Sequence, residues 1–301
     1  MKINKLKGKS RGDIILDIIV YATLALVFVV TFYPFWNIFI ISINDANDTI
    51  RGGLYFWPRV FTMDSYRAVL SDTAIINSIY VTVARTVIGT VISLLFTTMV
   101  AYSLSKRELV GRKFFNTLFI FTMYFGGGLI PFYMVLKSLN LIDSFWVYIF
   151  PGMIGVFNLI LIRTYIEGLP QEMEESALID GANEIIVFIK IILPLCKPVL
   201  ATVTLFVAVG HWNSWFDSYV FTYNPKLVTL QAALVKILNQ YQTGGMQSTA
   251  ELFASSQKRS PVSSDSIRMA TTMVATLPIV FIYPFLQRYF VKGIMIGAVK
   301  A

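Results

Sequence analysis

Few side chains in this chain can do chemistry, and they gather in two places. The first is GHWNSWFDSY, residues 210–219, where His211, Asn213, Ser214, Asp217 and Tyr219 stand beside Trp212 and Trp215. A further cation, Arg85, lies deep in the apolar run TAIINSIYVTVARTVIGT (73–90). Asn and Asp side chains suit sugar hydroxyls, and aromatic faces suit the apolar C–H surface of a sugar ring. Arginine holds a carboxylate through two parallel hydrogen bonds. Each feature also has a plainer reading. Polar groups in an apolar helix bond to neighbouring helices, and a buried arginine snorkels or pairs with an acid.

The second place is PQEMEESALIDGANEIIVFIKIILPL, residues 170–195. Pro170 can open a helix, because its missing N–H would be unpaired in the first turn. Glu172, Glu174 and Glu175 then favour the positive end of the helix dipole. Met173, Ala177 and Leu178 fall on one face. Gly181 permits a turn, EIIVFIKIIL resumes as a helix, and Pro194 ends or kinks it. The expected shape is a short helix-turn-helix with one apolar face, an acidic rim and a small-residue corner at Ser176-Ala177. That shape suits docking into a groove of another protein. Helices that lie on lipid are usually basic, which weakens the alternative.

Other chemistries lack their residues. One cysteine, Cys196, forbids an internal disulfide, and one histidine, His211, forbids a histidine metal cluster or most triad arrangements. Gly8-Lys9-Ser10 resembles the end of a phosphate loop, but the earlier glycine that loop needs is Ile3. No HExxH, GxSxG or paired-carboxylate arrangement stands out. The chain alone is expected to be no enzyme, with no catalytic residue and no metal site.

The elements that must position these residues are membrane helices. Of the 301 residues, 56% are hydrophobic and 14% charged, against about 45–50% and 25% in soluble domains; mean hydropathy is +0.67. Six stretches have the roughly 20 apolar residues a span needs: 14–43, 74–104, 114–137, 144–165, 197–223 and 268–290. The first is too long for a cleaved signal, and no cleavage site follows it. Lys2, Lys5, Lys7, Lys9 and Arg11, then Lys106, Arg107, Arg112 and Lys113, then Arg288, Lys292 and Lys300 fall on one side of such a chain. The positive-inside rule makes that side the cytoplasm, with both termini and the acidic block on it. It also explains the +8 net charge without nucleic acid. Segments 44–73, 138–143 and 224–267 then face outside, the last as a polar loop. All five tryptophans (Trp36, Trp57, Trp146, Trp212, Trp215) fall on the outer half, as an interfacial belt or as lining of a path. Gly126-Gly127-Gly128 and Pro131 interrupt the third span, beside Tyr124, another candidate for the path. Broken helices often lie near binding sites, though a packing kink or an outer gate would serve as well. One transmembrane domain, 14–301, follows a tail, 1–13.

The acidic block resembles the EAA loop of ABC-importer permeases: EAA, three residues, Gly, nine residues, I-x-L-P. Here it reads Glu175-Ser176-Ala177, Gly181, Ile191 and Leu193-Pro194, with Ser176 for the first alanine. Asp180-Gly181-Ala182 is similar to the carbohydrate-uptake, MalG-like branch. FGGGLIPFY, FNLILIRTY, GHWNSWF and PKLVTLQAAL are similar to LplC/YtcP-type permeases over nearly the whole chain. The resemblance implies an all-α, six-span type I ABC importer transmembrane domain in the inner membrane. It implies a second, different permease, an ATPase dimer that binds the ATP and Mg, and an extracytoplasmic solute-binding protein. The substrate would be an oligosaccharide or polysaccharide fragment, alginate among the anionic candidates. The EAA helix would couple to the ATPase through Glu172, Glu175, Ser176, Ala177, Asp180, Gly181, Ala182, Ile191, Leu193 and Pro194. The rival readings are a secondary transporter, disfavoured by the lack of paired acids within the spans, a permease for a non-sugar solute, and a scaffold without a pathway.

Overall fold

The computed structural model describes residues 10–49, 51–244 and 263–298. The basic tail up to Lys9, most of the polar segment 241–266 with its Lys258-Arg259 pair, and Lys300 lie outside the described residues. Within them the chain is helical and has no strand beyond a lone bridge between Asn44 and Phe61. The backbone divides into two compact units, residues 1–71 with 243–274, and residues 72–242 with 275–301.

In the first unit, α1 (Arg11–Ser42) is apolar on all sides, and its apolar window has none of its residues buried. Such a helix is stable only in lipid or against another protein. Asp13 reaches back to the Ser10 N–H (3.0 Å) and caps it. The segment after it is a folded corner rather than an open loop. It holds α2 (Ala46–Thr49) and α3 (Asp64–Ser71). Asn44 organises it: its carbonyl accepts from the Arg59 and Val60 N–H groups, and its amide donates to Asp48 (3.0 Å). Arg59 pairs with Asp48 at 2.8 Å. The Asn44 amide, then the Arg59 guanidinium, hold the Asp48 carboxyl below the usual carboxylate range.

In the second unit, α4 (Thr73–Ser105) is the axial helix. Asp72 caps it by accepting from the Ala74 N–H (2.8 Å). Its buried stripe runs Ser78, Thr82, Arg85, Gly89, Ser93 and Thr97, at helical spacing. Small and hydroxyl side chains let helix backbones approach closely and return their own hydrogen bonds to the preceding turn; Thr82, for example, donates to the Ser78 carbonyl (2.8 Å). The segments packed around it are α5 (Arg112–Tyr124), α6 (Leu129–Ser138), α7 (Val156–Glu167), α8 (Glu172–Ile179), α9 (Glu184–Leu195), α10 (Lys197–Asn213), α11 (Phe216–Phe221) and α12 (Leu230–Gly244). The core joins Ala101 of α4 to Leu159 and Ile162 of α7, Val187 of α9, and Val199 and Val203 of α10. The last helix, α13, runs Ser264–Ala298.

Helices lie at all six expected spans, but among the described residues three are single helices long and apolar enough to cross a membrane: Gly12–Ser42, Thr73–Ser105 and Asp265–Pro284. The third expected span breaks between α5 and α6, where Gly128 takes φ +85°. The fourth is a 3-10 turn, Phe145–Tyr148, followed by the 12-residue α7. The fifth breaks between α10 and α11 at Ser214 and Trp215. Ahead of it, α9 and α10 meet at 79°. Segment 224–267, expected as a loop, carries α12; its apolar face is too short to register as a span.

Candidate functional site

The break between α10 and α11 opens onto a cavity of about 510 Å³. Its wall gathers four of the polar residues singled out in the sequence, Arg85, His211, Ser214 and Asp217, with Ser93, Tyr148 and Asn158, and aromatic rings from Phe132, Phe216 and Phe221. Arg85 is 3% exposed. One terminal nitrogen donates to Asp217 Oδ1 (3.0 Å) and to the Ser214 carbonyl (3.1 Å), and the other pairs with Asp217 Oδ2. The guanidinium stacks over the Tyr148 ring, 4.7 Å from its centroid. Only its Nε lacks a partner among the described residues. Asp217 also accepts from Ser214 Oγ (3.0 Å) and the Ser218 N–H (2.9 Å). The pair thus ties α4 to the free carbonyl at the end of α10 and to the first turn of α11, where a carboxylate is favoured. His211 faces Gly89 of α4 so closely that a Cβ there would sit 2.6 Å from its Nε2.

The remaining path candidates stand elsewhere. The Trp212 indole donates to the Ala275 carbonyl (2.9 Å), so it joins helices rather than lining this cavity. Asn213, Trp215 and Tyr219 are exposed, the last two in edge-on ring contact. Tyr124 is 82% exposed, next to the glycine break. Ser93, Tyr148 and Asn158 escape a reading of the sequence, because nothing marks them apart from other polar residues in apolar runs. With its one charge pair internally neutral, the cavity can hydrogen-bond and stack a polar ligand.

At the other end of α4, the acidic block folds as expected except at its start. The helix α8 begins at Glu172, with Gln171 before it, so Pro170 lies outside it rather than in its first turn. Its end is a Schellman motif: Ala182 N–H bonds to the Ala177 carbonyl (2.9 Å), and Gly181 N–H to the Leu178 carbonyl (3.1 Å). Gly181 takes φ +85°, which an L side chain rarely adopts. The motif then sorts by side. Ala177, Ala182, Ile191 and Leu193 pack against the core. Glu172, Glu175, Ser176, Asp180, Gly181 and Pro194 face out. No residue of α8 is buried, and Met173, Leu178 and Ile179 are left exposed, the last by 85%. Asn183 caps α9 through the Ile186 N–H (2.9 Å), and residues Phe188–Ile192 loosen into a π-turn before Pro194.

Two polar networks fix this end. Arg112 of α5 pairs with Glu167 of α7 (2.6 Å), and Arg163 of α7 bonds to Asn116 of α5. Lys106, just past α4, pairs with Glu174 of α8 and with Glu184 of α9 (3.1 Å). The Tyr102 hydroxyl lies within bonding distance of the same two carboxylates, at 3.0 and 2.6 Å. Arg163, Tyr102 and the pairing of Lys106 are further residues that pattern alone does not expose, since charges 68 to 78 positions apart give no local signal.

Comparison with known proteins agrees with this geometry. The chain is 37% identical over 284 residues to the polygalacturonan/rhamnogalacturonan transport system permease protein YtcP of Bacillus subtilis, covering 94% of this chain and 98% of that one. It is 41% identical over 273 residues to protein LplC of the same organism, covering 90% of each. A crystal structure of a bacterial ABC transporter involved in import of the acidic polysaccharide alginate superposes with a TM-score of 0.86 at 32% identity, over 94% of this chain and 99% of that one. Residues 111–296 match the family described as binding-protein-dependent transport system inner membrane component. That match takes in α5 to α13, the acidic helix α8 with its glycine corner, and the broken span beside the cavity, and so the chain belongs to this family and is an ABC permease subunit.

Proposed function

We propose that the chain forms half of the translocation pathway of an ATP-driven importer for oligosaccharides or polysaccharide fragments, acidic ones such as alginate or pectin fragments included. A different permease completes the pathway, and a solute-binding protein delivers substrate from outside. The chain binds no nucleotide; a partner ATPase dimer binds and hydrolyses ATP with Mg. The acidic block faces the cytoplasm, together with both termini, and α8 seats in a groove of the ATPase. The observation that carries this reading is α8 itself: eight residues with an acidic first turn, exposed Met173, Leu178 and Ile179, and no buried residue. An isolated helix of that length is marginal in water; a partner groove that covers those three side chains supplies what it lacks. The substrate class draws support from what the relatives' names and the alginate transporter's description say of those proteins.

The test uses the whole transporter in proteoliposomes with its binding protein. Gly181→Ala adds a methyl group that meets nothing within 4 Å, so its effect comes only from the left-handed backbone, about 1–2 kcal/mol. Glu175→Gln removes an outward charge from the first turn. Both variants are expected to insert normally and to lose most uronate-oligosaccharide uptake and substrate-stimulated ATP hydrolysis. Full uptake with full stimulation in both would remove the coupling role. Uptake of a neutral maltodextrin in place of the uronate chain would remove the acidic substrate class.

A further inference from the structure

We propose that Lys106, with Tyr102 beside it, is a positioning residue that fastens the coupling helix to α4 and so carries the ATPase stroke to the cavity. The inference rests on α8 being the ATPase contact. Among the described residues, the side-chain hydrogen bonds and ion pairs from α8 to other elements all run through Glu174. The other outward acids of the helix, Glu172 and Glu175, make none, and Ser176 bonds only within its own turn. Apolar attachment is thin as well: Ala177 alone of α8 packs on the core. Between its flanks, where Leu169 and Ala182 pack on the core, the side-chain attachment of α8 comes down to one methyl group and one carboxylate, and the helix moves as that carboxylate is held.

The holder is built into the end of α4. Lys106 follows the last helical residue, Ser105, and its ammonium sits between Glu174 and Glu184, 4.6 Å above the Tyr102 ring. Tyr102 is buried and packs on Phe188 of α9, centroids 5.3 Å apart. Its single hydroxyl proton serves either carboxylate. The two acids therefore share one cation, one proton and one ring, so α8, α9 and α4 meet at a single point. Lys106 and Glu174 keep only 25% and 22% side-chain exposure, and a pair so covered is screened less than a surface pair. From there α4 runs unbroken, without proline, to Arg85, about 32 Å away at 1.5 Å per residue. A displacement of α8 is delivered along that rod to Arg85, which bonds to Asp217 and Ser214 at the cavity wall.

The experiment compares transported substrate per ATP hydrolysed in the assembled, reconstituted transporter, after checking that the ATPase subunits co-purify. Lys106→Met is expected to lower that ratio by about tenfold, within the usual range of coupling between sites. Lys106→Arg, which keeps the charge, is expected to restore most of it. A ratio for assembled Lys106→Met within about twofold of the wild type, below a coupling energy of 1 kcal/mol, overturns the proposal. If Lys106→Met does not assemble, Tyr102→Phe supplies the same ratio, because it keeps the ring on Phe188 and deletes only the hydroxyl. An unchanged ratio there overturns the proposal as well. Gly181→Ala separates the two levels: a ratio lost there but kept in Lys106→Met sinks the fastening alone, whereas a ratio kept in both sinks the coupling reading beneath it.

Discussion

Arg85 illustrates how a single buried cation is decided by its surroundings. Its sequence position admits an ion pair or a receptor for a substrate carboxylate. In the fold both terminal nitrogens already face Asp217, and one also meets the Ser214 carbonyl. A carboxylate ligand would have to compete with an internal one that is tethered and already desolvated. The pair is thus a strut between α4 and the start of α11. Removing one partner of a buried pair typically costs about 3–5 kcal/mol, because the other charge is left stranded, whereas replacing both by apolar groups of similar volume costs far less. With Asp217 21% exposed, the lower end of that range applies. Arg85→Ala and Asp217→Ala are each expected to lower the melting temperature of the purified transporter clearly, and the double substitution to lower it no further. Strictly additive shifts would dismiss the strut. The same geometry predicts that Arg85→Ala depresses acidic and neutral substrate uptake in equal proportion; a selective loss of acidic uptake would return Arg85 to the substrate.

Among the helices, α4 sets the distances and its small residues set how closely others approach. Gly89 is the tightest point, with the His211 imidazole lying where a side chain would be. Gly89→Ala brings a methyl carbon to 2.6 Å from Nε2 and 2.7 Å from Cε1, so the ring or the α10 backbone must shift. Overpacking of this kind costs about 1–3 kcal/mol. The melting temperature of Gly89→Ala should fall, and pairing it with His211→Ala should recover most of the loss; no recovery would mean that the strain lies elsewhere. This contact also shows what the sequence could and could not reveal. Gly181 was legible, because a glycine corner, an acidic helix start and a later proline are all local features with local causes. The glycine run at 126–128 was legible for the same reason, and the chain does break there. Gly89 was not, since its partner is 122 positions away and a glycine inside an apolar run looks like any small residue. The break at Ser214 was equally silent: its stretch is as polar as the substrate path expected there, and the carbonyl it frees is answered by Arg85 on another helix. The sequence presents the polar path as one patch, yet the backbone break turns His211, Ser214 and Asp217 toward the cavity while Asn213, Trp215 and Tyr219 stay exposed.

At the scale of the whole molecule, charge distribution sets the orientation that every functional reading assumes. Within the second unit, the Lys106 end of α4 carries Lys106, Arg107, Arg112 and Lys113 over eight positions. The opposite end is capped by Asp72 and meets the 3-10 turn Pro225–Leu227, where the Asn77 amide donates to the Lys226 carbonyl (2.8 Å). Four basic residues beside one end of a span favour the cytoplasm for that end, because positive side chains close to a span tend to stay on that side during insertion, and this is the orientation we propose. The ATP-coupled reading needs the same answer, since α8 shares the Lys106 end and ATP is cytoplasmic. The chain is well suited to a direct measurement. Its single cysteine, Cys196, is fully buried, so it gives little background to a membrane-impermeant maleimide. Single cysteines are placed at two exposed sites of the second unit, Glu108→Cys near Lys106 and Tyr223→Cys near the far end. In intact cells with the outer barrier opened, Tyr223→Cys is expected to label at once, and Glu108→Cys only after the inner membrane is permeabilised. The reverse pattern would place α8 outside, away from any ATPase, and would end the importer assignment of this helix along with the orientation.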